Sequence, residues 1–402
     1  MSFAYQLLVR RGQARRGRIL TPHGSIETPE FLPVGTQATV KALTPQQLLE
    51  LGVQGLLANT YHLYLRPGSS LVESLGGLHR FMQWPRPIMT DSGGFQAFSL
   101  GAGRDHGVGK IGGVFPGQQP APRKKPRDGT ANSLVKISEE GVVFRSHLDG
   151  SRHLLTPESS IRIQEELGAD MILAFDECTS PLSDRAYTEK AMERTHRWAL
   201  RCIQARRDTP QALYGILQGG AYPDLRERAL KFMLELPWQG FAVGGSLGNS
   251  KQEMHQVLDW TLPGLPDDKP RHLLGIGELD DLLEGVARGV DTFDCVIPTR
   301  FARNGHVFVP PGTPGRSPRG TWNLLNARFR ALDEPIQADC GCYTCRHFSL
   351  AYLRHLHKAE EMLAYTLGSM HNLHYLLGVM KDVRLALEED RFDELRRELR
   401  QG

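Results

Sequence analysis

The chain has 402 residues, 40% of them hydrophobic and 23% charged, with a formal net charge of +3. That is ample for one large domain with an appended unit or for two domains, it excludes a chain disordered overall, and its mildly basic balance permits a nucleic-acid partner without demanding one. Residues 101–130 carry six Lys or Arg and two Asp, a local +4, which leaves the remainder at −1.

Taken in order, the amino-terminal Met1–Arg11 has too short an apolar run, and its charges on the wrong side, for a secretory signal; it points to a cytoplasmic protein. A hairpin is predicted around Thr21–Ser25, and then a repeating unit begins. Strands are predicted at Phe31–Gly35, Val53–Asn59, Pro87–Asp91, Met171–Asp176, Ala212–Gln218, Phe241–Gly245, His272–Gly277 and Asp291–Cys295. Between them lie helical patterns: Thr44–Glu50 with an N-cap and a first-turn proline, Ile161–Leu167, Leu225–Leu236, and Leu279–Val290, in which Leu279, Leu282, Leu283, Val286 and Val290 mark one apolar face. Eight strands alternating with helices predict an α/β fold, a (β/α)8 TIM barrel. In this register the strands end at Asn59, Asp91, Asp176, Gln218, Gly245, Gly277 and Asp294. A lone strand-end Asp is more often a turn cap, but so many polar ends on one rim are better explained by a site.

Two segments interrupt the repeat. Gly101–Ala131, rich in Gly and Pro and containing Arg123-Lys124-Lys125-Pro126-Arg127, reads as a flexible basic insertion, by default a solvated loop, with RNA contact the minority reading. After the eighth strand the chain breaks at Pro298, and Phe301–Gly305 reads as polar and flexible. Then come a Pro/Gly-rich linker at Pro310–Gly320, a cysteine cluster and two long helical stretches from His347 onward, the second starting after Gly368-Ser369. Met362–Met380 lacks Lys, Arg, Asp and Glu, yet Ser369, His371, Asn372 and His374 near its middle favour a buried helical pair over a membrane span. Glu388–Arg400 reads as a charged amphipathic helix with a solvated face. The predicted division is a catalytic barrel over 1–309 and a C-terminal zinc-binding helical subdomain over 310–402.

Of six cysteines, Cys178, Cys202 and Cys295 are scattered, whereas Cys340, Cys342 and Cys345 form a C-x-C-x-x-C cluster that suits metal better than disulfides. Three soft thiolates favour a closed, structural zinc site, with His347, His355, His357, His371 or His374 as the fourth ligand; spacing alone does not choose among them. At the rim, Asp91 opens Asp91-Ser92-Gly93-Gly94-Phe95-Gln96, where paired glycines let a ligand approach the backbone and Phe95 is able to stack on a flat ring. Asp176 and Gln218 offer the donors and acceptors that read a purine-like base edge. Asp91 and Asp294, two carboxylates at different strand ends, are what a retaining glycosyl transfer requires: one attacks the sugar carbon and the other moves the proton.

Met89–Gln96, Phe175–Cys178, Gly215–Gly219, Phe293–Arg300 and the cysteine cluster together closely resemble the bacterial tRNA-guanine transglycosylase family, over nearly the whole chain from about Phe3 to Leu385. The resemblance implies a zinc-containing barrel enzyme, usually a homodimer, which replaces the wobble guanine (position 34) of tRNAs with GUN anticodons (those for Asp, Asn, His and Tyr) by a 7-deazaguanine on the route to queuosine. By the same resemblance Asp294 is the nucleophile at the ribose anomeric carbon and Asp91 the general acid/base. Asp91, Ser92, Gly93, Gly94, Phe95, Asp176, Gln218 and Gly245 contact the base. RNA contacts fall to Gly275, Ile276, Gly277, Glu278, Leu279, Asp280 and Asp281 and to Thr299, Arg300, Phe301, Ala302 and Arg303. One structural Zn2+ is held by Cys340, Cys342, Cys345 and His371. The chain departs from the family pattern in its basic insertion, in Phe95 for a common Tyr and Leu274 for a common Met, and in Gly244–Ser250, one residue shorter than the usual Gly-Gly-Leu-Ser-Val-Gly-Glu and without its glutamate. Two rival readings are a non-catalytic RNA-binding subunit, against which both aspartates argue, and a zinc hydrolase, for which the rim has no set of His and carboxylate ligands.

Overall fold

The computed structural model describes residues 2–96 and 135–400. Eight parallel strands close into a barrel: Glu30–Gly35, Leu56–Ala58, Ile88–Thr90, Met171–Leu173, Ala212–Leu217, Gly240–Val243, Arg271–Leu273 and Thr292–Cys295, here numbered one to eight. Each pairs with the next, the fourth pairs with the third through Met171 and Met89, and the eighth returns to the first in the register Thr292↔Glu30 through Cys295↔Pro33. All eight predicted strands are present, most of them shorter than the sequence suggested. The chain is therefore a (β/α)8 barrel.

The two-residue period of a strand sorts the side chains. Leu32, Val34, Leu57, Met89, Met171, Leu173, Ala212, Tyr214, Ile216 and Ala242 form one buried cluster, the barrel interior, while the alternate residues Phe31, Ile172, Leu213, Leu217, Phe241, Val243 and Phe293 join the core shared with the surrounding helices. The N-terminal antiparallel sheet Ala4–Arg11, Ala14–Thr21 and Gly24–Thr28 sends Ile19 and Ile26 into the interior cluster, and so plugs the end of the barrel where the strands begin. There Asp291, just before the eighth strand, accepts from the Tyr5 hydroxyl (2.6 Å) and the Arg271 amide (2.8 Å) and faces the fully buried Arg15 at 3.1 Å. Of the predicted helices, Thr44 caps Pro45–Glu50 in a capping box, and the others run Pro157–Leu167, Pro223–Leu234 and Leu279–Ala287.

Three expectations need correction, and one element was not anticipated. Pro298 does not break the chain: it sits in the first turn of a helix, Ile297–Arg303, where its missing N–H costs nothing, so Phe301–Arg303 is helical. Gly368-Ser369 is not a helix boundary either, and there is no helical pair. One helix runs from Met362 to Glu388, with Gly368 inside it because a Cβ there would lie 3.1 Å from the Ala302 Cβ; the glycine permits a close crossing. Glu388–Arg400 is not one solvated helix: Asp390 takes a positive φ, the helix is Phe392–Glu398, and Phe392 and Leu395 are buried while Arg396 pairs with Glu284. Lastly, a three-stranded antiparallel sheet, Val135–Ile137, Val142–Arg145 and Arg152–Leu155, precedes Pro157–Leu167. The whole of the basic stretch 101–131, with the chain from 97 to 134, lies outside the described residues.

After the barrel a two-stranded sheet, His306–Phe308 with Thr321–Asn323, and the helices Tyr343–His347 and Leu350–Lys358 build a separate apolar cluster around Val307, Leu324, Phe329 and Leu353. The helix Met362–Glu388 supplies Ala364 and Leu367 to that cluster and Leu373 to Leu387 to the barrel's outer core. No helix of the described residues is long and apolar enough to cross a membrane.

Candidate active site and metal centre

A cavity of about 510 Å3 opens at the end of the barrel where the strands finish. Asp91, Asp176 and Asp294 are the only carboxylate residues on its wall among the described residues, and Ser92, Phe95, Gly245 and Leu274 share that wall. The strands stop short of several of these residues, so Asp91 and Asp176 stand on the first residues of the following loops, as rim chemistry in such barrels requires.

Asp91 follows the third strand. Its Oδ2 accepts from Asn59 Nδ2 (2.5 Å) and Gln96 Nε2 (2.6 Å), and its Oδ1 from the Thr60 amide (2.9 Å). Burial nevertheless pushes its pKa up to about 6, because these neutral donors only partly offset the lost hydration and the charge of Asp294 works in the same direction as burial. Asp294 lies inside the eighth strand, on the interior face. Its Oδ1 accepts from the Gly275 amide (2.9 Å) and meets His272 Nε2 at 3.2 Å. No donor among the described residues reaches its Oδ2.

Asp176 is buried, with Oδ1 accepting from the Ser92 hydroxyl (3.0 Å) and Oδ2 from Gln218 Nε2 (2.6 Å). Gln218 stands behind the wall, and its Oε1 is buried without a donor among the described residues. It points at Gly245: a Cβ there would come within 1.9 Å of that oxygen, and φ at Gly245 is +75°, so only glycine lets the backbone turn across the amide. Gly93 and Gly94 are buried beneath the wall, and Gly94 donates its amide to Ser92 Oγ (3.2 Å).

The two segments expected to meet RNA divide. Thr299, Arg300 and Arg303 line the cavity; Ala302 is buried against Gly368, and Phe301 packs on His306 and Phe308. Burial and the neighbouring Arg300 lower the Arg303 guanidinium below its ordinary value. In 275–281, Gly275 is exposed and on the wall, Asp280 is exposed, and Ile276, Gly277 and Leu279 are buried. Glu278 and Asp281 both hold Lys251 Nζ, at 2.8 and 3.1 Å. Burial raises Asp281 to about 6 in spite of that lysine. The loop 244–250 ends in Ser250, the N-cap of Lys251–Thr261, whose hydroxyl accepts from the Glu253 amide while Glu253 Oε2 accepts from the Asn249 amide (2.5 Å).

Among the residues that line this cavity or touch its carboxylates, Lys41, His62 and His272 were not anticipated from the sequence. The signal for His272 was available. It occupies an inward position on a barrel strand, where an apolar side chain is the rule.

At the C-terminal end the Sγ atoms of Cys340, Cys342 and Cys345 lie 3.9, 3.6 and 3.3 Å from His371 Nδ1, and all four donor atoms fall within 4.8 Å of one another. His371 Nε2 donates to the Phe308 carbonyl (2.8 Å), which leaves Nδ1 with its lone pair facing the thiols, the outer hydrogen bond expected of a metal-bound imidazole. Hydrogen bonds from Cys342 and Cys345 drive the Cys340 thiol far below its ordinary pKa. These residues can hold a metal ion, and His347, His355, His357 and His374 stand outside the group. A second group, His23, His79 and Asp170, sits beside the start of the third strand, with both rings on one carboxylate (2.7 and 3.1 Å) and Asp170 Oδ2 also accepting from the Ile88 amide.

The family profile described as "Queuine tRNA-ribosyltransferase" matches residues 10–110 and 128–402, leaving out 111–127 within the basic stretch. Three proteins named queuine tRNA-ribosyltransferase are similar along almost their whole length. The Herpetosiphon aurantiacus protein is 50% identical, covering 97% of this chain and 90% of the relative. The Halothermothrix orenii protein is 47% identical, with 99% and 97% covered, and the Symbiobacterium thermophilum protein 48%, with 99% and 90% covered. Conserved length, a closed eight-stranded barrel and the Cys/His group at its C-terminal side agree with one another, and the chain belongs to the queuine tRNA-ribosyltransferase family of tRNA-guanine transglycosylases.

Proposed function

We propose that this enzyme exchanges the wobble guanine (position 34) of tRNAs with GUN anticodons for a 7-deazaguanine by double displacement. Asp294 attacks the ribose C1′, the C1′–N9 bond breaks, and the electron pair leaves with guanine, which takes a proton from Asp91. The incoming base returns its N9 proton to Asp91 and attacks C1′, and the Asp294–C1′ bond breaks with its electron pair returning to the carboxylate. The observation that carries this reading is the pair of rim carboxylates on one cavity wall, one with an oxygen free of donors and the other with its pKa raised to about 6, where it is able both to give and to take a proton. Asp176 and the buried Gln218 Oε1 suit the donors of a purine edge, with Phe95 and Leu274 as its apolar faces.

The precursor 7-aminomethyl-7-deazaguanine is the expected incoming base. With Glu253 engaged in capping its helix and no carboxylate of the 244–250 loop on the wall among the described residues, an ammonium substituent finds no dedicated partner in that loop, which weakens the preference for the precursor, and queuine is expected to be tolerated as well. We read Cys340, Cys342, Cys345 and His371 as a structural zinc site, residues 1–309 as the catalytic unit and 310–402 as the zinc-holding one, and the enzyme as a cytoplasmic homodimer. Zinc there closes a fold and does no chemistry at the rim. Exchange of labelled guanine into a GUN tRNA, with a denaturation-resistant protein–tRNA adduct that disappears in Asp294→Ala, tests the reading. Normal turnover in that variant would refute the nucleophile. Comparing kcat/KM for guanine, the precursor and queuine tests the choice of base, and strong rejection of queuine would rule out the tolerant pocket.

A further inference from the structure

We propose that His272 is a positioning residue that fixes which oxygen of Asp294 attacks. The seventh and eighth strands pair in the register His272↔Thr292, so His272, Thr292 and Asp294 share the interior face of the barrel. The ring is completely buried between two partners, Thr292 Oγ1 at 2.9 Å from Nδ1 and Asp294 Oδ1 at 3.2 Å from Nε2. A carboxylate only accepts, so Nε2 carries a proton, and the threonine hydroxyl, able to donate or accept, satisfies Nδ1. The Gly275 amide adds a second donor to the same Oδ1 at 2.9 Å. Both donors therefore hold one oxygen, and Oδ2, which has no donor among the described residues, is left to the cavity.

The proposal rests on Asp294 as nucleophile and sharpens it. When Oδ2 forms its bond to C1′, Oδ1 becomes the carbonyl oxygen of the glycosyl ester and keeps both hydrogen bonds. When the incoming base displaces the ester, the electron pair of the Oδ2–C1′ bond returns to the carboxylate, and the same donors stabilise the charge as it spreads to Oδ1. His272 thus acts in both half-reactions without touching the base or the RNA.

The test compares His272→Phe, which keeps the ring volume and removes the donor, with His272→Gln, whose amide places an N–H near the site of Nε2. Phe is expected to lower kcat and the single-turnover rate of adduct formation about 10- to 100-fold, with KM for tRNA within twofold of wild type, and Gln to recover most of that loss. Circular dichroism and thermal melting confine the comparison to folded enzyme. Phe at wild-type rate, or Gln as impaired as Phe, overturns the proposal; if Phe fails to fold, Gln near wild-type rate beside a slow His272→Leu supports it, and equal rates in those two overturn it. An adduct that persists in Asp294→Ala refutes the nucleophile instead, so the two failures are distinguishable.

Discussion

Asp291, just before the eighth strand, and Asp294, within it, lie three residues apart, both buried, and serve opposite ends of the barrel. Asp291, where the strands begin, is enclosed: Tyr5, the Arg271 amide and the buried cation Arg15 take up both oxygens. Asp294, where they finish, has no Lys or Arg at hydrogen-bonding distance among the described residues, only the His272 ring and the Gly275 amide on one oxygen, and its other oxygen has no donor among them. A buried carboxylate with a buried partner holds the fold together, because removing either strands the other charge. A buried carboxylate left incomplete costs stability and is retained for what it does to a ligand.

The sharpest way to break this contrast is to neutralise each in turn. Asp294→Asn should lose at least about 10^4-fold in exchange rate while melting near wild type. Asp291→Asn should leave Arg15 only the exposed Asp267, at 3.7 Å, as an ionic partner and cost about 3–5 kcal/mol of unfolding free energy, with turnover per folded molecule nearly unchanged. Paired denaturant melts and exchange assays read both, and a crossed result would dissolve the distinction. The metal group tests a third region on the stabilising side: Cys342→Ser, or treatment with a strong chelator, should remove bound zinc and several kcal/mol of stability, checked by metal analysis and melting.

Asp91 should show both faces of the contrast at once. Its pKa is raised from 3.8 to about 6, so between those pH values the folded state holds a proton that the unfolded chain has released, and this group's contribution to stability falls as pH rises through that window. Asp91→Asn should flatten that slope, raise stability at pH 7 by on the order of 2 kcal/mol, and lower kcat by about 10^2- to 10^4-fold. The smallest expected effect is on RNA. Arg300→Ala with Arg303→Ala should weaken tRNA binding roughly tenfold and reduce its salt dependence by about one or two units of slope, leaving free-base binding intact; filter binding across a salt series reads it.

The barrel was legible because its strands obey a simple rule: apolar runs of five or six residues ending in polar ones, with helices between. Asp91, Asp176, Gln218 and Asp294 were legible as site candidates for the same reason. The small antiparallel sheets were not, since strands such as Val135–Ile137 and His306–Phe308 are short and lie outside the strand–helix alternation that marks the equally short barrel strands. Pro298 and Gly368 misled because each residue type has two uses, breaking a helix or fitting inside one, and only the neighbouring chain decides between them. His272 was overlooked because it sits in the interior of a strand, while attention went to strand ends. The choice of His371 from five histidines came from resemblance alone. What selects it in space is the Phe308 carbonyl behind its ring, which spacing cannot reveal.

The helix Met362–Glu388 spans roughly 40 Å and fastens three things that are distant in the chain. His371 belongs to the metal group. Next to it Asn372 donates to the Pro298 and His306 carbonyls and accepts from the Phe308 amide, gripping the helix that carries Arg300 and Arg303. Near its far end Arg384 donates to the Pro29 carbonyl and Glu30, where the first strand meets the eighth. The helix is a clasp across the seam at which the barrel shuts. A ribosome has delivered every rim residue by Arg303, but the clasp is complete only after Arg384, some eighty residues later. For that interval the nascent chain holds both rim aspartates without the brace across their seam.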